Sequence, residues 1–183
     1  MSQKVKFIIG AVSLALLITA SVIIYNKYAK NAPAPPPPTT QEEAKRVKAS
    51  DFTVLDMAGK EHKLSSFFGK PIVLNFWASW CPPCKSEMPD FNRIWLEKQN
   101  SVTFLMINQP DGGRETIETA KAFIASQPYS FPVYFDIDFN AAAAYGVSLY
   151  PTTVVIDKDG YIVTGRVGIT TVAQLRDMIA AAE

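Results

Sequence analysis

Two cysteines and one histidine in 183 residues are the scarcities that constrain this chain most. A domain of this size braced by disulfides needs more than one pair, and 11 Phe, 7 Tyr and 3 Trp promise a sufficient aromatic core without staples. A four-ligand structural zinc site exceeds what two Cys and the single His62 supply, and His62, in Gly59-Lys60-Glu61-His62-Lys63, reads as a solvent-exposed residue of a polar turn. Cys81 and Cys84 can pair with each other, with a partner's cysteine or with a metal, and electron exchange is the leading reading.

Acidic residues are missing from the first 31 positions, where Lys4, Lys6, Lys27 and Lys30 carry all the charge. Beyond Asn31 stand 14 basic and 17 acidic residues, a mild excess of acid that makes no electrostatic case for nucleic acid. Charge of either sign is absent from Phe7 to Tyr25, and about 20 such residues cross a bilayer as a helix. The rival is a cleaved signal peptide, whose apolar stretch would be about 7–15 residues long. The small-residue site Ala32-Pro33-Ala34 is followed by Pro35, and no cysteine is placed for a lipid. An uncleaved anchor is therefore expected over residues 7–25, with a cytoplasmic tail at 1–6. Flanking lysines nearly balance, so orientation rests on the short N-terminal tail and on a cysteine pair that suits an extracytoplasmic compartment.

Residues 26–48 read as a linker, whose proline-rich part Ala32 to Thr40 makes an extended spacer of about 25 Å at ~3.1 Å per residue. One globular domain is expected over 49–183, with no internal repeat. Pro71 to Trp77 is a continuous apolar run that suits a strand buried on both faces. A helix follows, with Met88, Phe91, Ile94 and Trp95 on one side. Val102 to Ile107 and Phe131 to Phe135 read as strands, Arg114 to Ser126 and Asn140 to Tyr145 as helices. Thr152 to Asp157 and Tyr161 to Arg166 flank an Asp-Gly turn as a hairpin, and a last helix runs from an N-cap at Thr171 to Ala181. The fold class is α/β: a mixed sheet with helices on both faces.

The two cysteines form Trp80-Cys81-Pro82-Pro83-Cys84, between the buried strand and the helix. A helix N-terminus stabilises a thiolate, which makes Cys81 the nucleophile and Cys84, one turn along, the resolving thiol. Pro82 or Pro83 starts the helix without wasting a donor.

Phe76 to Pro89, with Gly146-Val147-Ser148-Leu149-Tyr150-Pro151-Thr152-Thr153 about 65 residues later, resembles the membrane-tethered thioredoxin-like proteins of the TlpA/ResA type. The resemblance spans Ala49 to Ala181. It implies a thioredoxin fold with a strand-helix insertion at Phe131 to Tyr145, and no cofactor. Pro151 then matches the family's cis-proline, Tyr150 borders Cys81, and Pro89 is the proline of the active-site helix. Asn75 stands where ordinary thioredoxins keep a buried acid that handles the proton of the second cysteine. Glu87, three residues after Cys84, is the candidate replacement, the alternative being a first-turn glutamate that complements the helix dipole. Trp77 reads as core, and Trp80 as either packing or a substrate platform.

The resemblance implies a membrane-anchored thiol-disulfide oxidoreductase that reduces extracytoplasmic protein disulfides, for example apocytochrome c before haem attachment. Its electrons would come from a membrane donor of the CcdA or DsbD kind. The same residues could run as a disulfide-forming oxidant, since direction depends on potential. A module that carries copper on Cys81 and Cys84, or grips client chains without turnover, is the binding alternative. A peroxidase of the related peroxiredoxin group would show Thr-x-x-Cys, which Ser79-Trp80-Cys81 does not supply.

Overall fold

Ile72–Trp77 forms a strand in which all six side chains are buried, and the rest of the domain is arranged around it. The computed structural model describes residues 46–183 and Thr19. The apolar run 7–25, Thr19 apart, and the proline-rich spacer lie outside the described residues. Among the described residues no helix is long and apolar enough to cross a membrane.

The strands are β1 (Val47–Lys48), β2 (Thr53–Asp56), β3 (Glu61–Lys63), β4 (Ile72–Trp77), β5 (Thr103–Asn108), β6 (Val133–Phe135), β7 (Thr152–Ile156) and β8 (Tyr161–Val167). They make one sheet in the order β1-β8-β7-β4-β5-β6-β2-β3. The helices are α1 (Pro82–Lys98), α2 (Ile117–Ala125), α3 (Asn140–Ala144) and α4 (Val172–Ala180), with a 3-10 turn at Leu64–Phe67. β4 runs parallel to β5 and antiparallel to β7, so the sheet is mixed as expected.

Alternation along β4 sends its side chains to two apolar layers. Val73 and Trp77 join Met88, Phe91 and Ile94 of α1 and Leu175 and Ile179 of α4. Ile72, Leu74 and Phe76 join Phe52, Leu64 and Ala141 on the other face. Burial on both faces explains the unbroken apolar run in the sequence. α2 and α4 each begin with a capping box, Thr116 with Thr119 and Thr171 with Gln174, which satisfies donors that a helix start leaves free.

Three expectations are corrected. β1 lies in the stretch read as linker, because Val47 and Lys48 pair with Ile162 and Tyr161 and bring the sheet two residues ahead of position 49. α2 starts at Ile117 instead of Arg114, because Thr116 caps it, and residues 114–116 complete a loop. His62 is no exposed turn residue: it sits half-buried on β3, bonded through Nε2 to Asp56 Oδ2 at 2.8 Å and edge-on to the ring of Tyr134. The hairpin β2–β3 that carries it is too short and polar to announce itself by alternation.

Candidate active site

The end of β4 and the start of β7 meet because the two strands are antiparallel, with Phe76 opposite Thr152. The cysteine turn after β4 and the Tyr150-Pro151 bond before β7 therefore lie at the same end of two neighbouring inner strands, although about 70 residues separate them. The Tyr150-Pro151 peptide is cis, as the resemblance implies.

Cys81 and Cys84 are joined in a disulfide with an S–S distance of 2.09 Å, so the protein is in its oxidised form. Cys81 is the N-cap of α1, and its Sγ accepts the Cys84 N–H at 3.2 Å. That places the sulfur on the partial positive charge of the helix end, where a thiolate is favoured. Cys81 is 3% exposed and Cys84 is fully buried, the order expected of a nucleophile and a resolving thiol. Pro82 and Pro83 occupy the first helical positions, which need no donor, and Pro89 lies inside α1.

Glu87 is 2% exposed, which rules out a solvated carboxylate on the first turn. Its Oε1 accepts from Asn75 Nδ2 at 2.8 Å and its Oε2 from the Thr170 N–H at 2.7 Å. Burial pushes its pKa from 4.5 up to about 7, against the lowering effect of the Thr170 and Asn75 bonds and of the Arg166 charge. Asn75 also donates to Thr153 Oγ1 at 3.1 Å, so the amide that replaces a buried acid on β4 now holds the acid of α1. The carboxyl can take or give a proton near neutral pH, inside the domain and on the helix of Cys84.

Trp77 is fully buried, as expected of a core residue. Trp80 lies in the turn beyond the strand, half-buried: Arg114 stacks on its ring at 3.8 Å and Tyr150 meets it edge-on at 5.9 Å. One face of Trp80 is thus covered by a guanidinium, a partner that the sequence did not suggest. The Tyr150 hydroxyl donates to Gln109, whose amide donates to Asp136 at 3.3 Å. Burial first, then Asp111, Asp136 and Glu115, push the Tyr150 pKa up to about 12, so the phenol stays a neutral donor. Sequence reasoning missed Asn108, the last residue of β5, and Gln109 and Glu115 of the loop that follows, buried polar residues that carry no periodic signal. Among the described residues no three His, Cys, Asp or Glu side chains gather as a metal site.

Known proteins agree with this geometry. The model of the AhpC/TSA family matches residues 46–164. A thiol-disulfide oxidoreductase ResA of Bacillus thuringiensis subsp. konkukian is 34% identical over 143 residues, covering 76% of this chain and 80% of that protein. Among solved structures, one described as a thiol:disulfide interchange protein DsbE from Chlorobium tepidum superposes with a TM-score of 0.67 at 32% identity, over 75% of this chain and 96% of that one. StoA from Bacillus subtilis gives 0.62 at 25% identity, over 71% and 96%. The fold is thus thioredoxin-like. The threonine of a peroxidase Thr-x-x-Cys is replaced by Ala78.

Proposed function

The chain belongs to the thioredoxin-like AhpC/TSA family and is a thiol-disulfide oxidoreductase, and on that footing we propose that it reduces protein disulfides outside the cytoplasm while held to the cell membrane. The observation that carries the exchange chemistry is the Cys81–Cys84 disulfide at the N-terminus of α1, with the buried carboxyl of Glu87 on the same helix. In the reducing direction the Cys81 thiolate attacks a substrate sulfur, the substrate disulfide breaks, and its second sulfur leaves as a thiolate that takes a proton. A mixed disulfide joins Cys81 to the substrate. Cys84 then gives its proton to the Glu87 carboxylate and attacks Cys81 Sγ, and the second substrate thiol departs. Two electrons have passed to the substrate, and the protein is left in the disulfide form described above.

Each cycle consumes the dithiol, so a reductant must restore it, and a membrane donor of the CcdA or DsbD kind is the proposed source. Apocytochrome c before haem attachment is a substrate of the proposed class. Support for the anchor is the uncharged run 7–25 between lysines, and support for an extracytoplasmic domain is the reactive cysteine pair, which suits such a compartment. Trp80, which meets Tyr150 edge-on, and the cis Tyr150-Pro151 bond lie at the same end of β4 and β7 as the cysteine pair, and the substrate chain is expected to lie on them.

The test is the redox equilibrium of the full-length chain at defined thiol/disulfide ratios, with free thiols counted by mass. A potential near or below the ~−270 mV of thioredoxin is expected. One near the ~−120 mV of strong oxidants would make the protein a disulfide donor, and failure of Cys81 and Cys84 to cycle would favour the copper- or client-binding module.

A further inference from the structure

Under the turn that leads into Cys81 lies a second buried carboxyl, Glu115, which takes no part in the exchange steps. It is 1% exposed, and among the described residues no cation pairs with it. Three hydrogens converge on its two oxygens. Oε1 accepts the Ser79 N–H at 2.9 Å and an Asn108 Nδ2 hydrogen at 2.6 Å, and Oε2 accepts the Ser79 hydroxyl at 2.6 Å. Asn108 Nδ2 also reaches the Trp77 carbonyl at 3.4 Å. One carboxyl thus brackets the chain from the last residue of β4 to the residue before Trp80.

The backbone of Glu115 is itself tied down. The Glu115 N–H donates to Asp111 Oδ1 at 2.9 Å, and the Asp111 N–H donates back to the Glu115 carbonyl at 2.9 Å. From the bracketed turn the connection to the nucleophile is short: the Cys81 N–H donates to the Ala78 carbonyl at 3.1 Å, and Cys81 Sγ accepts from Cys84 N–H. A shift of Ala78-Ser79 would therefore turn the Cys81 sulfur away from the helix end. Burying an acid without a cation is costly unless its oxygens are filled, and here the donors that fill them belong to the redox turn and to the strand beside it.

We propose that Glu115 is a positioning residue for disulfide exchange, fixing the Trp77–Ser79 turn so that Cys81 is presented for attack from the N-terminus of α1. The inference rests on exchange at Cys81 and is independent of its direction. In the full-length chain, Glu115→Gln retains an acceptor for the Ser79 N–H and for Asn108, and its amide can donate to the Ser79 hydroxyl. Glu115→Ala retains none of these bonds.

The reduced proteins are mixed with oxidised glutathione and the rate of mixed-disulfide formation at Cys81 is measured, beside the thermal midpoint of each oxidised protein. Glu115→Ala is expected to react about ten-fold or more slowly, and Glu115→Gln within about three-fold of the unaltered chain. Equal rates for the two variants, or a Glu115→Ala rate like that of the unaltered chain, would overturn the proposal. Should Glu115→Ala not accumulate in folded form, Ser79→Ala carries the test, since it deletes one bond and leaves the carboxyl in place. It is expected to slow exchange about three-fold, whereas an unchanged rate counts against the positioning role.

Discussion

Glu87→Gln is the substitution that reads the buried proton site most directly. In the native protein the Glu87 pKa is pushed from 4.5 to about 7, chiefly by burial. Between those values the folded state binds a proton that the unfolded chain does not, so stability falls as pH rises. The contribution is fully present below about 4.5, declines through the interval and is gone above about 7. At 1.36 kcal/mol per pH unit the interval is worth on the order of 3 kcal/mol. Glutamine has no proton to lose, so the difference in unfolding free energy between native chain and variant should fall by roughly that amount from pH 4.5 to 8. Its amide nitrogen must also face a donor, Thr170 N–H or Asn75 Nδ2, which costs about 1–3 kcal/mol at every pH. The variant is then weaker than the native chain at pH 5 and close to it at pH 8. Guanidinium unfolding of both oxidised proteins across that range, followed by tryptophan fluorescence, measures the difference. Asp56, Asp111 and Asp157, whose pKa values are lowered, contribute alike to both proteins and cancel. A difference that is the same at pH 5 and pH 8 would refute the reasoning.

Cys84→Ser removes the resolving thiol, so substrates should remain bound to Cys81 as mixed disulfides that a non-reducing gel and mass analysis detect, while Cys81→Ser captures none. Tyr150→Phe strips the bond to Gln109 and should cost about 1 kcal/mol in denaturant unfolding, with slower exchange on protein disulfides and an unchanged rate on oxidised glutathione. Gly160→Ala forces a side chain onto a residue with φ of 84°, with its Cβ 2.8 Å from the Phe68 ring, and should lower the thermal midpoint by at least about 4 °C.

Where a segment's burial is uniform or strictly periodic, the sequence carries it openly. β4 reads as a strand because all six of its side chains are inside, and α1 reads as a helix because Met88, Phe91 and Ile94 share one face. The cysteine pair is legible because it is the only one, and Pro151 because its neighbours match a family pattern. The polar scaffolding is not legible in this way. Glu115, Asn108 and Gln109 look in sequence like any loop residues after a strand, and their burial is decided by β5 and the loop to α2 folding under the cysteine turn. Glu87 is the intermediate case: spacing from Cys84 singles it out, but only the partners on β4 and before α4 make it a buried acid. His62 was misplaced for the same reason, since its setting depends on Asp56 and Tyr134, neighbours brought by β2 and β6.

The two-residue strand β1 gives the domain a defined mechanical entrance. A pull applied at Arg46 would meet first the Arg46–Asp157 ion pair and the pairing of Val47 and Lys48 with β8, at the margin of the sheet. In the strand order β4 stands three places inward, behind β8 and β7. A pull on this end therefore peels the short outer ladder, with its few exposed backbone bonds, before force reaches the strand that carries the cysteines. Under such a load the margin would give way ahead of the redox centre.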